Sequence, residues 1–186
     1  MKMQNKKIQV HKFLVELFGR VTTVFDLLAI IISSISFAGL TLLLKWNADI
    51  SNFKLVILTI LALDIAGGVI ANFTKGTNNY YSESIRKRYL FIFFHLLQPS
   101  ILIWIFPSEL SAILGVSLFT LSSSIIVLNI KKQYYQRIIA ITLLLFSLFL
   151  STLLNYSDPL TEIVMQLFSI KLILAFSVNW AFNDKN

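Results

Sequence analysis
The sequence contains no cysteine. That excludes disulfides, thiol catalysis and Cys-ligated zinc. Only two histidines occur, His11 and His95, so a multi-histidine metal site is excluded as well. Charge is scarce: 13% of the 186 residues are Asp, Glu, Lys or Arg. A water-soluble domain carries about 25%, and half that number cannot cover a soluble globule. The chain also lacks a Walker loop, an HExxH or GxSxG motif and a Rossmann glycine fingerprint.

What is abundant is apolar sequence, at 56% of residues with a mean hydropathy of +0.77. It falls into six blocks: Leu27–Leu44, Leu55–Phe73, Tyr89–Phe106, Leu110–Ile130, Ile138–Leu154 and Leu160–Phe182. Each is about 17 to 23 residues, enough for a helix to cross a hydrocarbon core about 30 Å thick. The first block is too long for a signal peptide, and no small-residue cleavage site follows it. The reading is an all-α integral membrane protein: six transmembrane helices in a bundle, over residues 21–182.

The net charge of +7 suggests a nucleic-acid binder, but its distribution points to topology instead. Lys2, Lys6, Lys7, Lys12 and Arg20 precede the first block, and Lys75, Arg86, Lys87 and Arg88 follow the second. Lys131, Lys132 and Arg137 follow the fourth block, and Lys185 follows the sixth. Only Lys45 and Lys54 fall on the opposite side. Thirteen against two is a strong positive-inside bias, and it puts both termini in the cytoplasm of a cell-membrane protein. The partner so implied is the lipid bilayer, with no nucleic acid. Trp46, Tyr89, Trp104, Tyr134, Tyr135 and Trp180 at block ends suit an interfacial aromatic belt.

Residues 1–20 form no span. Val10, Phe13, Leu14, Leu17 and Phe18 recur at helical spacing opposite Lys12, Glu16 and Arg20. This predicts an amphipathic helix over 8–20, lying on the inner leaflet or packing on the bundle. Residues 183–186 read as a short cytoplasmic tail.

Polar side chains within spans face the bundle or a wet cavity, so they are functional candidates. In the second block Asp64, Gly67, Gly68, Ala71 and Asn72 share one helical face. Gly67 and Ala71 form a small-xxx-small pair that admits a neighbouring helix. In the third block His95, Gln98 and Pro99 lie together, and Pro99 frees the carbonyl of His95 and predicts a kink. Lys171 stands twelfth in the sixth block, with Asn179 eight residues on. Unpaired at mid-bilayer, such a lysine costs about 2.5–3.5 kcal/mol, and Asp64 at the same depth is its expected partner. Asp26 reads as interfacial. Ser33, Ser34, Ser36 and Ser122–Ser124 read as packing groups or as the lining of a polar path.

Together Asp64, Asn72, His95, Gln98, Lys171 and Asn179 predict a polar pocket open to the cytoplasm. Asp64, His95 and an asparagine could hold one divalent ion, but nothing in the spacing asks for a metal or another cofactor.

Size, six spans and basic inner loops resemble the accessory gene regulator B peptidases. That family needs a catalytic cysteine, which this chain lacks, so no residues carry over. Three classes of function remain. One is a non-catalytic membrane component, such as an immunity factor or complex subunit. The second is a transporter-like binder of a small solute or ion, which at this size implies a homo-oligomer. The third is an intramembrane enzyme using Asp64 and His95.

Overall fold
The computed structural model describes residues 6–180. Lys2, Lys185, the end of the sixth block at Phe182 and the tail 183–186 lie outside the described residues. The chain is built of helices, six of which are long and apolar enough to cross a membrane. In order they are α2 (Val24–Lys45), α3 (Asn52–Phe73), the pair α5 (Ile85–Phe94) and α6 (Leu97–Ile105), α7 (Leu110–Leu128), α8 (Gln133–Leu153) and α9 (Pro159–Ser169). The last runs on as π-helix over Ile170–Phe176. Large apolar side chains such as Leu43, Phe94, Leu97, Leu118 and Phe149 point outward and are exposed, as lipid-facing surfaces require.

The sixth span is the innermost, with 61% of its residues buried inside the protein against 22% of the first. Around it Leu58 and Ile65 of α3, Leu102 of α6, Ile113 and Val116 of α7, and Phe168 and Leu172 of the sixth span pack into one core. In lipid, burying a leucine against a leucine gains little over burying it against acyl chains, so close backbone approach and polar pairs carry more of the association. Two such contacts are evident. A Cβ on Gly67 would lie 2.0 Å from Ser34 Oγ, so the glycine is what lets α2 lie against α3. Ser33 Oγ donates to the carbonyl of Ala66 across the same seam at 3.3 Å. In the second contact, Thr120, Ser147 and Ser169 join α7, α8 and α9 through hydroxyl hydrogen bonds of 2.8 to 3.2 Å. Ser124 bonds back to the carbonyl of Thr120 on its own helix, while Ser36 and Ser122 face outward. Ser33, Ser34 and Ser124 are thus packing groups.

The third span is interrupted. Pro99 has no N–H to offer the carbonyl of His95; that oxygen instead accepts from Gln98 N–H at 3.3 Å. The α-helix therefore stops at Phe94 and resumes at Leu97, a break where the sequence predicts a kink. In the sixth span the N–H and hydroxyl of Ser177 both bond to the carbonyl of Leu172, five residues back, at 3.1 and 2.7 Å. These bonds close the wide π turns that hold Lys171.

The start of the chain corrects the expectation of a continuous helix over 8–20. Lys7–Gln9 (β1) pairs antiparallel with Val21–Thr23 (β2), with Ile8 opposite Thr22. Between them lie a 3-10 turn at Lys12–Leu14 and the single-turn helix α1 (Val15–Phe18). Gly19 ends α1 at φ +73°, a conformation that suits glycine. It packs backbone to backbone on Gly76 of α4 (Lys75–Ser82), where a Cβ on Gly19 would lie 2.0 Å from the carbonyl carbon of Gly76. Thr77 Oγ1 donates to the carbonyl of Leu17 at 2.8 Å. Asp26 is a capping residue: it closes a capping box with Thr23 at the head of α2.

The two ends of the bundle sort as six alternating crossings require. At one end Lys45 pairs with Asp158, Ser157 donates to Glu109, and Lys54 Nζ donates to the carbonyl of Ile105. At the other end Arg20 pairs with Glu83 at 3.0 Å, and buried side chains receive the end of the sixth span. Arg88 donates to the carbonyls of Phe176 and Val178, Asn78 to Val178, and Gln136 to Ser177.

Candidate functional site
α3 brings Asp64 to mid-span, and the π segment brings Lys171 to the same depth. Lys171 Nζ donates to Asp64 Oδ2 at 3.0 Å and to the backbone carbonyl of Asp64 at 3.3 Å. The lysine crosses the face of α3 to get there, directly over Gly68. A Cβ on Gly68 would sit 2.4 Å from Lys171 Cε and 2.7 Å from Nζ. The two adjacent glycines thus have separate duties: Gly67 admits α2, and Gly68 admits the lysine. Gln98 of α6 adds a third member, donating its Nε2 to the same oxygen, Asp64 Oδ2.

The pair is asymmetric in exposure. The Lys171 side chain is 2% exposed and that of Asp64 47%. The lysine is sealed in the bundle, while the carboxylate faces a cleft of about 500 Å³. The cleft lies between α3 and the broken α5–α6 helix. Ile57, Ile60, Leu61, Leu97 and Ile101 form its apolar walls, and Asp64, Asn72, His95, Gln98 and Lys171 supply its polar groups. Phe13, Glu16 and Leu17 of the N-terminal segment and Tyr81 of α4 sit at one end of it. Burial, reinforced by the Glu16 carboxylate and by Tyr80, pushes the Tyr81 phenol above its ordinary pKa, so it stays neutral.

Two buried polar atoms in this lining make no hydrogen bond among the described residues: Asn72 Nδ2 and Gln98 Oε1. Their side chains belong to residues 3% and 7% exposed. Buried groups of this kind are ordinarily satisfied, and here both belong to residues that line the cleft. The ring of His95 stacks on Phe91 at 4.0 Å. Its Nδ1 lies 2.7 Å from the carbonyl of Phe91. A carbonyl only accepts, so Nδ1 carries the proton and Nε2 is the acceptor of the neutral ring.

Five of the six residues singled out from the sequence therefore meet around one cleft. Asn179 does not join them. It lies past the π segment, where its N–H donates to Gln136 Oε1 at 2.9 Å. Helical spacing from Lys171 misplaces it, because the helix widens before reaching it and ends at Phe176. Sequence reasoning missed Gly68 as the gap for Lys171, and missed Glu16 and Tyr81 as lining residues. It also counted Arg88 and Arg137 as topological cations only. Arg88 is 6% exposed and acts as a C-terminal cap of the sixth span, while Arg137 donates to the carbonyl of Trp180 at 3.3 Å. The signal was the position of Arg88, one residue before an apolar block.

Asp64 bonds to Lys171 and Gln98, and no hydrogen bond joins it to His95 among the described residues. A direct acid–base hydrogen bond between the two, one form of the pair an intramembrane enzyme would use, is thus not formed among the described residues. No protein-family model, no curated protein and no solved structure matches this chain.

Proposed function
We propose that this multi-pass membrane protein binds a small solute in the cleft between α3 and α5–α6, as a permease-like binder. The observation that carries the reading is the cleft of about 500 Å³ around a mid-span ion pair whose carboxylate is exposed to it. A non-catalytic packing component would close its interior there, and lipid alone gives no reason to keep Asn72 Nδ2 and Gln98 Oε1 unpaired. The volume lies in the range of small-molecule sites, and the mix of apolar walls with few polar groups fits them too. The charge distribution supports a cell-membrane location with both termini, and the Tyr81 end of the cleft, on the cytoplasmic side. On this orientation the exposed apolar side chains of the N-terminal segment, Phe13, Leu14 and Leu17, rest in the inner leaflet. A chain of 186 residues is small for a transporter monomer, so transport on this reading takes a homo-oligomer.

The absence of cysteine makes the test clean, since a single introduced cysteine reports alone. Ile57→Cys, a half-buried position in the cleft lining, should react with a charged, membrane-impermeant thiosulfonate applied from the cytoplasmic side. Leu43→Cys, on an outward face 79% exposed, should not react. Equal protection of both would show that water does not reach the cleft and would contradict the reading.

A further inference from the structure
Resting on the solute-binding reading, we propose that the cleft selects an amphipathic amine, its protonated amino head at Asp64 and its apolar part along α3 and α6. The argument is a count of hydrogen-bonding capacity around the pair. Asp64 uses only Oδ2, for both Lys171 and Gln98, which leaves Oδ1 without a hydrogen bond among the described residues. Gln98 spends its Nε2 on Asp64, and its Oε1 is buried and unpartnered. His95 spends Nδ1 on Phe91, and its Nε2 makes no hydrogen bond among the described residues. Gln98 touches Asp64 directly, and His95 stands three residues before Gln98 at the helix break. These three acceptors belong to side chains that line one cleft, and a primary ammonium carries three N–H donors.

The sign of the charge follows from exposure. Lys171 is sealed at 2% exposed and is already engaged with two oxygens of Asp64, while Asp64 presents nearly half its side chain. Glu16 adds a second carboxylate at the far end of the cleft. An anion entering here would meet Asp64 before it met the lysine. A cation would meet a carboxylate whose second oxygen is available, and a charge-assisted hydrogen bond there is worth about 1.5–3 kcal/mol, or more than about tenfold in affinity. Beyond the head, Ile57, Ile60, Leu61, Leu97 and Ile101 offer an apolar channel. Ile60 and Leu97 are themselves 60% and 65% exposed, so the cleft opens sideways to where lipid lies. A purely hydrophilic cation would leave that wall unused. Asn72 Nδ2, two turns along α3 and unpartnered among the described residues, carries two N–H donors for an acceptor elsewhere on the ligand.

The test uses the full chain in lipid nanodiscs and three probes with one apolar part: 4-phenylbutylamine, 4-phenylbutanol and 4-phenylbutyrate. Affinities are measured by calorimetry, with empty nanodiscs subtracted. The amine should bind at least about tenfold more tightly than the alcohol or the carboxylate. Gln98→Leu and His95→Phe leave the Asp64–Lys171 pair in place. Each should weaken the amine about fivefold or more and the alcohol, with a single uncharged donor, by less. Equal affinity for all three probes, or tightest binding of the carboxylate, would overturn the amine preference and leave solute binding standing. Saturable binding of none of the three would overturn both.

Discussion

Lys171 reaches Asp64 across the bare backbone of Gly68, ending 3.0 Å from Oδ2. Two charges at one depth in hydrocarbon are cheaper together than apart. The contact exists because a glycine stands one turn after the aspartate and a π turn carries the lysine.

Gly68→Ala tests that geometry. The added methyl displaces Lys171 Cε and Nζ, and overpacking of this kind costs about 1–3 kcal/mol. The apparent thermal midpoint in nanodiscs should fall. In a Lys171→Ala background, where the side-chain tip is gone, the same substitution should be neutral or mildly stabilising, since alanine favours helix by up to about 1 kcal/mol. An equal loss in both backgrounds would mean that Gly68 answers to something other than the lysine.

Arg88→Lys separates capping from topology. It keeps the positive charge, so reporter fusions after residue 88 should read the same side as the parent. It loses the guanidinium bonds to Phe176 and Val178 at 3.1 and 3.4 Å; Val178 keeps the bond from Asn78, while the Phe176 carbonyl loses its side-chain donor at about 1–3 kcal/mol. Thermal stability should drop while topology holds. Unchanged stability would reduce Arg88 to a topological cation.

At the opposite end, Asp158 gives a pH dependence. Burial would raise its carboxyl, but hydrogen bonds from Lys45 and Thr161 and the charge of Lys45 outweigh that and hold it below the ordinary carboxylate value. A depressed native pKa means stability present above the unfolded value, about pH 4, and lost as pH falls through the native one. Asp158→Asn retains a capping side chain for Thr161 but loses the charge. It should cost about 1 kcal/mol at neutral pH and flatten the stability profile below about pH 4. Parallel profiles for parent and variant would contradict the assignment.

The fold was legible where physics is local. Apolar blocks of span length marked all six helices, and the missing N–H of Pro99 marked the break in the third. α8 begins at Gln133, five residues before the apolar block, because Gln136 turns inward to bond the carbonyl of Val127. The N-terminal hairpin was not legible: its three-residue strands pair across an intervening turn, and the apolar spacing of residues 10–18 imitates a helix. At the site, depth alone matched Asp64 with Lys171. Gly68 was indistinguishable from Gly67 in sequence, since which glycine faces the lysine depends on how α3 is rotated in the bundle. Asn179 failed because a widening of the helix leaves no sequence period to read.

The most direct test of the Asp64–Lys171 pairing is a double-mutant cycle. Asp64→Asn and Lys171→Met should each lower the apparent thermal midpoint and the folded yield. Breaking a buried pair costs about 3–5 kcal/mol, and the half-exposed carboxylate puts the Asp64 contribution toward the lower figure. The double variant should recover much of the loss, because neither charge is left without its partner. Losses that simply add would show that the two residues do not stabilise one another, and the site as described would be wrong.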